Sequence, residues 1–275
     1  MNEPATCLLA ATLAALRTEL GDDPALAALP PEDLAALVQA AGGDAARLKR
    51  WLKRRLAGEP LAHITGEFVF RGLRFFVDKR AYATDPEVAT LVEAVVAWAR
   101  ARHTDTGRAP LLAEIGVGCG SVALAVKHDF PAAEIVGLEL DSDALAVAAR
   151  NVARHGLPVR LVESDLFDSW PAELPAPDLV FGDPPWGDAA TLYSADRPAA
   201  HYQAMPPASA FPLGGRTGAH AQILRAIAAR GWTCQVILNA GVLPDTDLHA
   251  LRGLGHSCRI ARWPSGLALL YCTPD

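Results

Sequence analysis

Between residues 111 and 129 an apolar run, Leu111-Leu-Ala-Glu-Ile115, enters Gly116-Val-Gly118-Cys-Gly120 and then a helix-compatible segment ending near Asp129. No other stretch restricts the fold as strongly. A buried strand, alternating glycines and a helix form the first half of a βαβ unit, whose Gly-rich turn opens a helix N-terminus to a ligand. The spacing is ExGxGxG. It departs from the dinucleotide pattern GxGxxG, because Ser121 stands where the third glycine belongs. There is also no GxxxxGK phosphate loop, and no Lys or Arg lies between Pro110 and Lys127 to balance a phosphate.

The alternation continues downstream. Helices are predicted over 86–101, 142–154, 218–230 and 245–254, and strands over 134–139, 159–162, 178–181 and 234–239. Strands alternating with helices predict a parallel doubly wound sheet. A closing pair over 257–261 and 267–272, joined at Pro264-Ser265-Gly266, predicts an antiparallel edge. Upstream, three short helices are punctuated by Gly21-Asp22-Asp23, Pro30-Pro31 and Gly42-Gly43. Asp44 is placed to N-cap the third, which is expected to stop at Gly58. Two aromatic and β-branched runs within 63–78, around Arg71-Gly72, predict a β-hairpin. The chain thus divides into a helical and hairpin part, 1–80, and an α/β part, 81–275.

The balance of 31 acidic to 25 basic residues, a formal charge of −6, argues against a phosphate-backbone binder and so against a nucleic acid partner. No apolar run reaches the ~18 residues of a membrane span. The apolar stretch 7–16 follows Glu3 without a Lys or Arg and lacks a cleavage-type motif, so it is expected to be an amphipathic helix rather than a signal peptide. Cys7, Cys119, Cys234, Cys258 and Cys272 form no CxxC pair, which fits free thiols in a reducing cytoplasm. The histidines show no metal spacing, and no metal site is expected. Lys49, Arg50, Lys53, Arg54 and Arg55 gather around Trp51, as a solvated helix face or as a docking surface for an acidic partner.

Acids recur at the expected strand ends. Glu139 closes the second strand, one βαβ step from the Gly loop, where an acid meets ribose hydroxyls. Asp165, in Glu163-Ser-Asp-Leu166-Phe167, follows the third strand, where a carboxylate accepts from an adenine amino group. With Glu114 they suit a nucleoside without phosphates, and the ligand inferred is S-adenosylmethionine. The candidate cofactor residues are Glu114, Gly116, Gly118, Gly120, Glu139, Asp165, Leu166 and Asp183.

Gly182-Asp183-Pro184-Pro185-Trp186-Gly187 directly follows the apolar strand Leu179-Val180-Phe181. Alone it would be a rigid turn with a packed Trp. At the carboxyl edge of an α/β sheet it faces the ligand cleft. Methyl transfer needs a nitrogen lone pair aimed at the S–CH3 axis. The Asp183 carboxylate and a carbonyl at Pro184 are two acceptors suited to hold a planar NH2, and Trp186 offers a stacking face. Asp183, Pro184 and Trp186 are therefore the candidate catalytic residues. Residues 187–213, rich in Pro and Ala, are expected to form a lid or binding loop. Its Tyr193, His201 and Tyr202 are candidate substrate contacts, with surface packing as the alternative.

Across most of its length the sequence resembles the HemK/PrmC family of S-adenosylmethionine-dependent methyltransferases, which methylate a protein glutamine side chain. The likeness is carried by Arg55-x-x-Gly58-Glu-Pro-Leu-Ala-His-Ile-Thr-Gly66, the Glu114–Gly120 loop, and Asp143-Ala144 through Arg150-Asn151. Ser164-Asp165-Leu-Phe167 and Leu213-Gly-Gly-Arg-Thr-Gly218 extend it. It implies a class I methyltransferase fold, that is, a Rossmann-like, seven-stranded, mostly parallel sheet. A small N-terminal helical domain for partner contact and a linking hairpin would precede it. Two departures stand out. Asp183 and Trp186 replace the outer residues of the family's Asn-Pro-Pro-Tyr, and Asp85-Pro86-Glu87-Val88-Ala89 stands where the family has Arg-Pro-(Glu/Asp)-Thr-Glu. A carboxylate only accepts hydrogen bonds and adds negative charge, which favours an amine, guanidine or exocyclic amino group over a neutral amide. The methyl acceptor is thus a protein glutamine or a small amine-bearing metabolite. The alternatives are a cyclase or lyase that consumes the cofactor's own aminobutyrate part, and a non-catalytic cofactor-binding interaction module.

Overall fold

The computed structural model describes residues 3–20, 29–188 and 212–275. The entry module packs α1 (Glu3–Leu20), α2 (Pro31–Ala41), α3 (Ala45–Leu56) and a short α4 (Leu61–Thr65) around an apolar cluster of its own, which includes Leu16, Leu37, Leu48, Leu52 and Ile64. Asp44 caps α3, its carboxylate accepting the Arg47 N–H at 2.9 Å. The basic cluster is largely paired within this module. Lys49 and Lys53 bind Glu19, Arg54 binds Glu59, and Arg55 reaches Asp33 at 2.6 Å.

Two local expectations shift. The third helix ends at Leu56, before Gly58, and 61–65 coil into a fourth helix rather than opening the hairpin. The reason is Pro60, which sets the N-terminus of α4, and Gly66, whose left-handed conformation (φ 79°) stops it. The hairpin is consequently compact, with β1 (Glu67–Phe70) paired antiparallel to β2 (Leu73–Phe76).

A 3-10 turn (Pro86–Val88) leads into α5 (Ala89–Thr106), where one continuous helix was expected from Pro86. The order is then β3 (Leu111–Ile115), α6 (Ser121–Asp129), β4 (Glu134–Glu139), α7 (Ser142–His155), β5 (Arg160–Glu163) and β6 (Leu179–Gly182). After α8 (Gly218–Ala229) come β7 (Gln235–Asn239), a one-turn α9 (Asp245–His249), β8 (His256–Arg262) and β9 (Ala268–Pro274). The seven strands stand in the order β5-β4-β3-β6-β7-β9-β8, with β9 antiparallel to both neighbours and the first five strands parallel. The antiparallel edge is as expected. The cysteine expectation is not: Cys258 and Cys272 are direct partners in the β8–β9 register and form a disulfide, while Cys7, Cys119 and Cys234 are free. A separation of 14 residues hid a pairing that only the strand register brings together.

Apolar clusters cover both faces of the sheet. One contains Val92, Leu112, Leu124 and Leu179; the other contains Val180, Leu224, Val236 and Leu270. Alternate residues of β6 point to opposite sides, as a strand buried on both faces requires. Among the described residues no helix is long and apolar enough to cross a membrane.

Asn151, on α7, ties the hairpin to the Gly loop. Its fully buried side chain accepts the Phe76 N–H at 2.8 Å and donates to the carbonyls of Phe76 and Cys119 at 2.9 and 2.8 Å. Asn151→Ala leaves three backbone groups, one buried and two partly buried, without this partner, and we predict a loss of about 2–4 kcal/mol in urea unfolding. A loss below 0.5 kcal/mol, on the order of an ordinary surface substitution, would contradict this role.

Candidate active site

The chain leaves β3 toward β4 and β5, then crosses back to place β6 on the other side of β3. Connections diverge there, and a cleft opens at the carboxyl ends of the strands. It holds a cavity of about 740 Å³. The Gly loop turns through positive φ at Gly116 (70°), Gly118 (54°) and Gly120 (83°). Gly116 and Gly118 line the cavity, whereas Gly120 sits behind it as N-cap of α6, where an added Cβ would stand 3.4 Å from the Ala148 Cβ.

Glu139 locks the loop to the end of β4. Its carboxylate accepts the Gly118 N–H at 2.8 Å and the Asp141 N–H at 3.1 Å, and it lines the cavity. Leu166 also lines it, with a strained φ of 45°, while Asp165 is exposed and lies outside the lining. Glu114 is 2% exposed, and its Oε2 has no hydrogen-bond partner. Burial raises its pKa well above the usual carboxylate range, opposed by the Ala123 N–H and reinforced by Asp183 and Glu139.

Asp183, Pro184, Pro185 and Trp186 follow β6 into the cavity wall. Burial pushes the Asp183 pKa up to about 7, against a hydrogen bond from Asn239 and with help from the Asp85 carboxylate. The bond runs from Asn239 Nδ2 to Asp183 Oδ1 at 2.6 Å. The Asn239 amide cannot turn over without loss, because its Oδ1 accepts the Gly241 N–H at 3.1 Å. Its backbone carbonyl is in turn 2.8 Å from Nε2 of the fully buried His220, whose pKa burial lowers to about 4; the neutral ring therefore donates from Nε2. Trp186 packs flat against Gly241, where a Cβ would fall 2.0 Å from the indole ring.

Sequence reasoning missed Asn239, Gly241 and His220. A signal existed for the first: Asn239 is the polar end of an apolar strand at the same sheet edge as Asp183. Tyr82 and Thr84 were missed as well. Tyr82 donates to Asp85 at 2.6 Å, and the Thr84 hydroxyl bonds that of Ser121, linking residues 82–85 to the Gly loop. Tyr193, His201 and Tyr202 lie outside the described residues.

The donor set fits a sulfonium nucleoside. Among the described residues every charged side chain lining the cavity is a carboxylate, the Gly loop offers open backbone, and Glu114 holds a buried oxygen without a hydrogen-bond partner. A phosphate-bearing ligand would find no cation there among the described residues.

Residues 112–183 match the family model described as a methyltransferase domain. The chain carries a methyltransferase domain and is similar to HemK/PrmC-type enzymes over about half its length. It is similar to the release factor glutamine methyltransferase of Chlorobaculum tepidum, at 33% identity over 138 residues that cover 49% of this chain and 47% of that one. It is similar also to the 4-amino-L-phenylalanine/4-methylamino-L-phenylalanine methyltransferase of Streptomyces pristinaespiralis, at 34% over 146 residues covering 53% and 49%. The matched span is thus about half the length of these curated relatives. Among solved structures, the hMettl16 catalytic domain in complex with MAT2A 3'UTR hairpin 6 superposes with a TM-score of 0.53 at 13% identity, covering 83% of this chain and 81% of that one, a likeness of fold alone.

The raised Asp183 pKa gives the methyltransferase domain a pH signature. A carboxyl whose folded pKa lies above its unfolded value costs stability as pH rises from about 3.8 toward 7, and the cost is complete above 7. Asp183→Asn removes that cost. Its melting temperature should exceed that of the wild type by a few degrees at pH 8, with the gap closing toward pH 4. A constant gap, or one that widens in acid, would refute the buried-carboxyl assignment.

Proposed function

We propose that the protein is an S-adenosylmethionine-dependent N-methyltransferase acting on an amide or amino nitrogen. The observation that carries this reading is the Asp183 carboxylate, held at the end of β6 by Asn239 on the same cavity as the Gly loop and Glu139. Bound there, S-adenosylmethionine supplies an electrophilic methyl group on a positively charged sulfur. Gly116 and Gly118 let it approach the backbone, and Glu139 presents acceptors to a ribose diol. Glu114 sets a negative charge, or the acceptor of a hydrogen bond, against the cationic end.

The acceptor side is built from the tetrapeptide. Asp183 Oδ1 is taken by Asn239, so Oδ2 is the oxygen that receives a substrate N–H. Two consecutive prolines fix the direction of the turn and remove two backbone donors that would compete for it. Trp186, braced on Gly241, supplies a flat wall for the group that bears the nitrogen. Holding the nitrogen in a near-attack geometry is where most of the rate gain lies. The named relatives support the choice of nitrogen: release factor glutamine carries an amide and 4-amino-L-phenylalanine an amino group.

Asp183→Ala should lower turnover by roughly 100-fold or more, the scale of losing one preorganised polar group at a reacting centre. S-adenosylhomocysteine affinity, read by calorimetry, should stay within about threefold, a shift under ~0.7 kcal/mol. Surviving turnover would overturn the assignment of Asp183. Wild-type kcat/KM should also rise through one ionisation near pH 7, where Asp183 loses its proton. That limb should be missing from Asp183→Asn.

A further inference from the structure

Asn239 stands between a fixed backbone donor and the carboxyl that lines the cavity. Its side chain is 3% exposed, and its two ends cannot be exchanged. The Gly241 N–H can only donate, and it reaches Asn239 Oδ1 at 3.1 Å. Nδ2 is therefore the end that donates to Asp183 Oδ1 at 2.6 Å. The peptide of Gly241 is itself held. Its carbonyl accepts the Ala268 N–H at 2.7 Å, the Ala240 N–H bonds the Ala268 carbonyl at 2.9 Å, and a Cβ on Gly241 would fall 2.0 Å from the Trp186 indole. From the opposite side, Nε2 of the buried His220 holds the Asn239 carbonyl at 2.8 Å. No second hydrogen bond to Asp183 occurs among the described residues, so Oδ2 is the oxygen left over.

We infer, resting on the N-methyltransferase reading, that Asn239 is a positioning residue. It sets the hydrogen-bond polarity of the acceptor site, turns Asp183 Oδ2 toward the substrate N–H, and makes an acid rather than an amide the working residue at 183. The direction of each bond follows from the one before: Gly241 donates to Asn239, Asn239 donates to Asp183, and Asp183 is left to accept. Asp183→Asn alone reverses the last step. Asn239 still donates to position 183, the amide there must answer with its oxygen, and its NH2 then faces the substrate as a donor. Asn239→Asp alone brings two carboxyls into contact, which hold together only by sharing a proton. Exchanging the acid and the amide, by Asp183→Asn with Asn239→Asp, restores every bond. The carboxylate at 239 accepts from Gly241 through one oxygen and from the amide at 183 through the other, so that an amide oxygen again meets the substrate. The acid of the Asp-Pro-Pro-Trp turn is thus the counterpart of the amide at the end of β7, and a neutral amide stays eligible as the methyl acceptor.

The test uses the full chain saturated with S-adenosylhomocysteine at about pH 8.5, above the value of about 7 to which burial raises the Asp183 pKa, so that its carboxylate is ionised. Two neutral probes are titrated by NMR: phenylacetamide, which carries an NH2, and N,N-dimethylphenylacetamide, which carries no N–H. Their difference in size cancels when the ratio of the two Kd values is compared between variants. The wild type should favour phenylacetamide by about tenfold, equivalent to ~1.4 kcal/mol. Asp183→Asn should cut that ratio by at least about fivefold, and the paired exchange should return it to within about twofold of the wild type. Asp183→Asn decides the matter by itself, since a ratio unchanged in this variant overturns the inference. Equal binding of the probes by the wild type, or binding of neither, does the same. So does a paired variant that binds S-adenosylhomocysteine and keeps the lowered ratio. S-adenosylhomocysteine binding is read first in each protein. Its absence from the wild type removes the cofactor reading as well, whereas its presence with an unmoved ratio removes only the role of Asn239.

Discussion

The placement of β3 between β4 and β6 is the constraint on which the rest depends. All three strands run parallel, so their carboxyl ends lie on one edge, and the chain diverges there in two directions. The close approach of β6 to β3 is enforced by Gly182, where a Cβ would lie 2.6 Å from the Ile115 carbonyl oxygen. One residue later the chain delivers Asp183 beside the Gly loop. Gly137 does the same for β4, its missing side chain making room for Val117, for which a Cβ would leave only 2.8 Å. Two strand glycines, weak positions by propensity, therefore hold the Gly loop and the Asp183 carboxyl in register.

A second constraint is electrostatic. Burial in the cavity raises the pKa values of Glu114 and Asp183, and burying a carboxyl in this way is costly. The fold tolerates it because the surrounding polar atoms are tied. Glu139 takes two backbone donors, Asn239 is fixed between Asp183 and Gly241, and the entry module binds most of its own basic cluster internally. Among the described residues the cleft is lined by carboxylates and by no Lys or Arg.

Much of this was legible in the sequence, for physical reasons. Strands buried on both faces show as short apolar runs, so β3, β4 and β6 were found within one residue, and strand-end acids and the Asp-Pro-Pro-Trp turn stand out against them. What escaped depends on contacts across the chain. Asn239 is one polar residue at a strand end until β7 pairs with β6 and brings it 2.6 Å from Asp183. Gly241 matters only because an indole from residue 186 lies on it. The Cys258–Cys272 bond follows from a strand register that spacing alone does not specify. Asp165 shows the converse: a suitable acid at a suitable spacing, whose side chain is exposed and outside the cavity lining.

The central claim is that the cleft between β3 and β6 transfers the methyl group of the cofactor to a nitrogen of a separate acceptor. Mass analysis of the products formed from S-adenosylmethionine, with and without phenethylamine, tests it most directly. S-adenosylhomocysteine and a product heavier by one methylene unit should both appear, and only when the amine is present. Methylthioadenosine released without any acceptor would contradict it, because the reacting nitrogen would then belong to the cofactor itself.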